Sequence, residues 1–111
     1  MNTLSDFKKA LHPGVKLNTI WHNRFAGRDE QGNIIHTDED CGIREVSIVQ
    51  SNSFAFKHTK SDGKVVDSWC SYPKASECRI TSPDTIVILE PDYRVRIGTQ
   101  PLIPVLTYQF V

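Results

Sequence analysis

SFAFKHTKSDGKVVDSWCSY, residues 53–72, carries two strands and the turn that joins them. Phe54 and Phe56 alternate with small or polar neighbours, the period of two that a half-buried strand requires. Asp62-Gly63 follows, and both residues tolerate the left-handed conformation of a type I′ hairpin turn. Val65 to Tyr72 then reads as the returning strand, with Trp69 its largest residue. Short antiparallel strands are therefore the expected building blocks.

Upstream the same period recurs. Val15, Leu17, Thr19 and Trp21 alternate with Lys16, Asn18, Ile20 and His22, giving one strongly apolar face. Another strand starts at Ile43 with Val46 and Ile48 inward, and its phase slips between Val49 and Ser53, which predicts a bulge or a sharp bend. Asn23 to Gly42 is a long excursion holding the turn signal Gln31-Gly32-Asn33, the apolar pair Ile34-Ile35 and the acidic run Thr37 to Asp40. A stretch of that length is either a functional loop or an irregular hairpin. At the N-terminus, Leu4, Phe7 and Leu11 share one helical face, Thr3 is placed to cap it with Asp6 in the first turn, and Pro13-Gly14 ends it. That helix is expected to cover an open end or edge of the sheet.

Downstream, Tyr72-Pro73-Lys74-Ala75-Ser76 predicts one helical turn opened by proline, followed by a short strand Glu77 to Ile80. Ser82-Pro83-Asp84 is a turn, Thr85 to Leu89 a strand, and Pro101 to Pro104 lead into a last strand ending at Val111. Leu106, Tyr108 and Phe110 share one face of it. The alternation Arg94-Val95-Arg96-Ile97 suits a groove lining or, more commonly, a sheet edge blunted by charge. An apolar C-terminal strand with a free edge would pair with a second copy, so a homo-oligomer is expected.

Short strands, a long first loop, a tight distal hairpin and a proline-led turn before a short strand resemble the SH3-like barrel. The resemblance implies a mainly β chain: a small SH3-like or related partly open barrel with one short N-terminal helix and an added C-terminal strand pair. Within a single β-rich domain, residues 1–14 would be helix and connector, 15–80 the barrel-like core, and 81–111 the additional strands. In that fold the long first loop and the aromatics around the proline turn form the ligand groove, here residues 23–42 and 69–76. RFAGRDEQGN (24–33), REVSIVQSNSFAFK (44–57) and DSWCSYPKASECRI (67–80) also resemble short proteins encoded by phages and other mobile elements. That resemblance carries no active site with it. It implies a protein that acts stoichiometrically in a bacterial host.

Composition narrows the classes further. With 111 residues, 39% apolar and 23% charged, the chain is sized for one modest core. Starting at Met1 and running into an apolar strand at Val111, it is expected to be a whole gene product. Thirteen basic and thirteen acidic side chains cancel, so bulk attraction to nucleic acid or an anionic membrane is not expected. The charge is unevenly placed: Asp29, Glu30, Asp38, Glu39, Asp40 and Glu45 lie close together, with Arg44 the single base among them. Three cysteines, Cys41, Cys70 and Cys78, and no apolar run of leader length predict reduced thiols in the bacterial cytoplasm.

No pair has the close spacing of a structural zinc site, and His36, Asp38, Asp40 and Cys41 read as a solvated acidic loop, so no metal and no cofactor are expected. No serine sits in a nucleophile elbow and no glycine pattern forms a phosphate loop, which makes an enzyme, a nucleotide-cleaving one included, the lesser expectation. Aromatic and cationic groups are more suggestive. Trp21 and His22 end one strand, Arg24 and Arg28 follow, Arg44 lies beyond the acidic run, and Trp69, Tyr72 and Lys74 flank the proline turn. Rings with guanidinium groups suit a flat base bearing phosphates. Equally, each tryptophan taken alone is more often core, and Arg24 and Arg28 have Asp29 and Glu30 beside them. These eight residues are the expected ligand-binding set of a non-enzymatic protein that sequesters a nucleotide-like signal or blocks a host defence protein. A small nucleic-acid-binding regulatory barrel is the alternative.

Overall fold

Residues 1–111 are described by a computed structural model. Thr3 caps the only α-helix, α1 (Leu4–Ala10), through a reciprocal box: the Asp6 N–H donates to Thr3 Oγ1 at 3.2 Å, and the Asp6 carboxylate accepts from the N–H of Thr3. Seven residues are too few for a helix to stand alone in water. Packing holds it. Phe7 is fully buried, with its ring centroid 6.0 Å from that of Tyr108 and 5.8 Å from that of Phe110.

Seven antiparallel strands follow: β1 (Lys16–Arg28), β2 (Ile34–Val49), β3 (Ser53–Thr59), β4 (Val65–Ser71), β5 (Cys78–Ser82), β6 (Thr85–Pro91) and β7 (Leu102–Phe110). A single 3₁₀ turn, Ala75–Glu77, precedes β5. The order across the sheet is β4-β3-β2-β1-β7-β6-β5, so the architecture is one open sheet with β4 and β5 as its edges. The helix lies on the concave face, over a core of Phe7, Leu11, Leu17, Val46, Phe54, Phe56, Ile86 and Tyr108.

Several expectations change. The 23–42 excursion takes the hairpin form: β1 and β2 simply continue through it, paired as Trp21↔Glu39, Arg24↔Thr37 and Arg28↔Ile34. Three register shifts interrupt the pairing, and Asn23, with φ of 57°, sits in one of them. The phase slip at 49–53 is a chain reversal, closed by the Gln50 N–H donating to the Ser53 carbonyl at 2.8 Å, with a separate register shift between Val46 and Ile48. At Asp62-Gly63 only the glycine is left-handed, with φ of 86°. Gly63 N–H donates to the Lys60 carbonyl and Lys60 N–H to that of Lys64, a type I turn followed by a glycine bulge rather than type I′.

The C-terminal strand is the largest correction. It is not a free edge, because β7 pairs with β1 on one side (Thr19↔Tyr108) and with β6 on the other (Ile86↔Tyr108). The edge argument for a homo-oligomer therefore falls away. Arg94-Val95-Arg96-Ile97 lies outside the sheet, in the β6–β7 connection, where Asp92 N–H reaches the Pro101 carbonyl at 2.8 Å. Long hairpin, tight distal turn, 3₁₀ turn and short strand do come in the expected sequence. Yet β5 pairs with β6, so β6 and β7 stand between it and β1.

Candidate functional site

Strand register brings unlike residues together on the concave face. Trp21, Leu106 and Ile88 are cross-strand neighbours in one row, and Thr19, Tyr108 and Ile86 form the next. Gly42 is the β2 partner of Thr19 and adds no side chain to that row. Beside it, Arg44 is the register partner of the buried Leu17, so its guanidinium faces inward and lies 4.3 Å from the centre of the Phe56 ring. Cys70 and Ser71, at the end of edge strand β4, approach Ile88 and Glu90 of β6 from across the open side of the sheet.

These groups enclose a cavity of about 300 Å³ at the seam. That is at the low end of small-molecule sites. Its apolar lining is Trp21, Ile88, Val105 and Leu106; its polar groups are Thr19, Arg44, Glu90 and Tyr108. Thr19 is 1% exposed and its Oγ1 has no hydrogen-bond partner. An unsatisfied buried hydroxyl costs about 1–3 kcal/mol. Arg44 and Glu90 enter no ion pair: the four that exist join His22–Asp38, Arg24–Glu39, Lys57–Glu45 and Arg94–Asp92. Burial, and then the neighbouring Cys70, push the Tyr108 hydroxyl far above the usual tyrosine range, so it stays protonated. The seam thus offers a half-buried cation without an ion-pair partner and, at its solvent-exposed rim, the Glu90 carboxylate, along an apolar wall; the unpaired Thr19 hydroxyl is sealed beneath it.

Of the eight residues singled out from the sequence, Trp21 and Arg44 line this cavity. Tyr72 and Lys74 line an adjoining groove of about 290 Å³ that shares Ser71, Ile88 and Glu90 with it. Tyr72 packs at 5.4 Å on Phe54, and its hydroxyl is also raised by burial. Arg24 lies 4.8 Å from the Trp21 ring, outside the cavity, with its Nε 3.8 Å from Glu39. Arg28 is at the tip of the arm, donating to the Gly32 carbonyl at 2.8 Å. Trp69 is half exposed and faces away, since its neighbour Cys70 takes the inward position on β4. The expected convergence of all eight at one end of the sheet does not occur.

His22 belongs to a different arrangement. Its Nε2 is 2.6 Å from Thr107 Oγ1 and its Nδ1 3.0 Å from Asp38 Oδ2, which ties β7, β1 and β2 together across the bulge. The His22 hydrogen bond holds the Asp38 carboxyl below the usual range. His36, Asp38, Asp40 and Cys41 are strung along β2, and no three His, Cys, Asp or Glu side chains are grouped to hold a metal ion. The three cysteines are free; burial raises the thiols of Cys41 and Cys78 and makes them poor nucleophiles. No helix is long and apolar enough to cross a membrane.

Thr19, Glu90 and Tyr108 are the site residues that sequence reasoning did not single out. Thr19 had a signal, being the one polar side chain at the inward positions Val15, Leu17, Thr19 and Trp21. Glu90 had none, because its place at the seam follows from β6 lying opposite β4. No protein-family model, no curated protein and no solved structure was found to match the chain.

Proposed function

We propose that the chain is a non-enzymatic binding protein that acts by occupancy, holding a small nucleotide-like molecule in the seam cavity. The observation that carries this reading is the seam cavity itself, where the half-buried Arg44 guanidinium has no anionic partner. A fold that leaves a guanidinium uncommitted in a cavity forgoes stability that an anionic ligand oxygen restores. Trp21 supplies a ring face for stacking and Arg44 a forked donor for an anionic oxygen. In a phage or mobile-element setting, in the bacterial cytoplasm, that amounts to sequestering a host signal molecule. The first five strands are then an SH3-like unit opened by β6 and β7. Blocking a host protein, or binding nucleic acid, would instead use an outer surface and leave the cavity unoccupied.

Backbone amide shifts during titration with a nucleotide panel test the proposal. Shifts concentrated at Thr19, Arg44 and Tyr108 support it; shifts confined to the arm or to the outer face around Trp69 contradict it.

One observation favours an enzymatic reading. Thr107, His22 and Asp38 form a hydroxyl–imidazole–carboxylate chain, the pattern that activates a nucleophile. Thr107, however, sits mid-strand in β7, paired with Ile20 and Val87, and lines none of the three cavities. Its oxygen therefore opens onto none of the concave surfaces that would hold a substrate. The chain of bonds serves as a cross-strand tie, and incubation should return the nucleotide uncleaved. Turnover that disappears in His22→Ala would revive the enzyme.

A further inference from the structure

Resting on the occupancy reading, we infer that the seam selects a bipolar ligand: a flat ring system with one anionic group for Arg44 and one hydrogen-bond donor for Glu90. The cavity wall carries one guanidinium and one carboxylate, and neither is paired within the chain. Arg44 is half-buried and Glu90 lies exposed at the rim, so an anionic group anchors at Arg44 and a donor on the ligand meets Glu90, whereas a second anionic group placed at the rim would be repelled. A polyanion fares worse inside the cavity, where Arg44 is the only cation on the wall and Glu90 borders the same space. Extra phosphates held there would face that carboxylate, and like charges at close range disfavour binding.

Size points the same way. About 300 Å³ corresponds to roughly ten water molecules of liquid, enough for one ring system with a short polar arm and too little for a dinucleotide. The ring would lie along Trp21 and Ile88, with its anionic arm toward Arg44. Two chemical sources present this pattern, a nucleoside monophosphate with an exocyclic amine and an aromatic amino acid. Their shared chemistry is the claim.

Calorimetric titration of the intact chain distinguishes the sources and tests the claim. One series is AMP, purine riboside 5′-monophosphate (no amine), adenosine (no phosphate) and ATP. The other is L-tryptophan, indole-3-propionate (no ammonium) and tryptamine (no carboxylate). In one series the parent should bind about ten-fold or more tightly than either trimmed analogue, as expected when a charged hydrogen bond is lost. ATP should bind more weakly than AMP. Glu90→Gln should erase the preference for the donor-bearing parent, and Arg44→Gln the preference for the anion, with Arg44→Lys restoring part of it. Melting temperatures close to wild type show that the variants are folded. Binding that ignores the amine, survives Glu90→Gln unchanged or favours ATP overturns the bipolar ligand but leaves occupancy standing. No binding by any probe, with Thr19 and Tyr108 amides unmoved, overturns both.

Discussion

Thr19 lies near the start of β1, between the row that holds Leu17 and the row that holds Trp21, at an inward position otherwise taken by apolar side chains. Its hydroxyl has no partner. Thr19→Val keeps the shape and removes the unsatisfied oxygen, so it should raise stability by about 1 kcal/mol in urea unfolding while leaving ligand binding unchanged, because the oxygen is sealed from the cavity. A loss of binding would show instead that the oxygen reaches the ligand. Arg44→Gln has the opposite profile: it gives up the contact with the Phe56 ring and the anion site together. At this scale the sequence was half legible. A polar residue at an inward strand position is visible as a break in the alternation, and so was the excess of cations near aromatics. Trp69 was not readable, because whether a tryptophan on a strand faces inward depends on register. Here the inward slot goes to Cys70, opposite Phe54.

Hairpins are where the local chemistry of the chain is plainest. The tips of β1–β2 and β3–β4 use one design. Gly32 N–H donates to the Asp29 carbonyl and Gly63 N–H to that of Lys60, with both glycines left-handed at φ of 82° and 86°. A Cβ would meet nothing at either position, so Gly63→Ala carries only the backbone strain, about 1–2 kcal/mol, read as a lower urea midpoint. The arm from Asn23 to Gly42 was harder to read as strand because most of it, from Arg24 onward, is exposed on both faces. With no buried side, no alternation is selected. In that arm the turn residues were legible and the paired strands around them were not, whereas both strands flanking Asp62-Gly63 were legible. For β7 the difficulty was of another kind: nothing local tells a C-terminal strand that it will be inserted between β1 and β6. The His22 tie belongs to this scale too. His22→Ala should loosen β7 against β1, seen as faster amide exchange at Ile20 and Thr107, without abolishing folding.

Across the molecule the core is thin. Only 11 of 111 residues are buried, within extents of 45 × 38 × 22 Å. Phe54 is its hub, with ring contacts to Phe7, Phe56, Tyr72 and Tyr108. Phe54→Ala should cost about 3–5 kcal/mol, a large share of the stability of so small a domain, and leave the chain mostly unfolded by circular dichroism at 37 °C. Acid should act through several carboxyls at once. Hydrogen bonds from Asn2 to Asp6, Lys57 to Glu45, Ser82 to Asp84 and Arg94 to Asp92 hold each below its ordinary value of 3.8 or 4.5. Unfolded chains therefore take up protons first as pH falls. The melting temperature should be flat above about pH 5 and decline through the carboxylate range below it. Whether this thin open sheet keeps its seam for a small ligand can be read by native mass spectrometry of the protein purified from an expressing bacterium. Wild type should carry one small molecule per chain, retained through purification or taken up from the AMP and tryptophan series, and Arg44→Gln should lose it. A bare chain after every addition, or an adduct that persists undiminished in Arg44→Gln, rules out a ligand site at the seam.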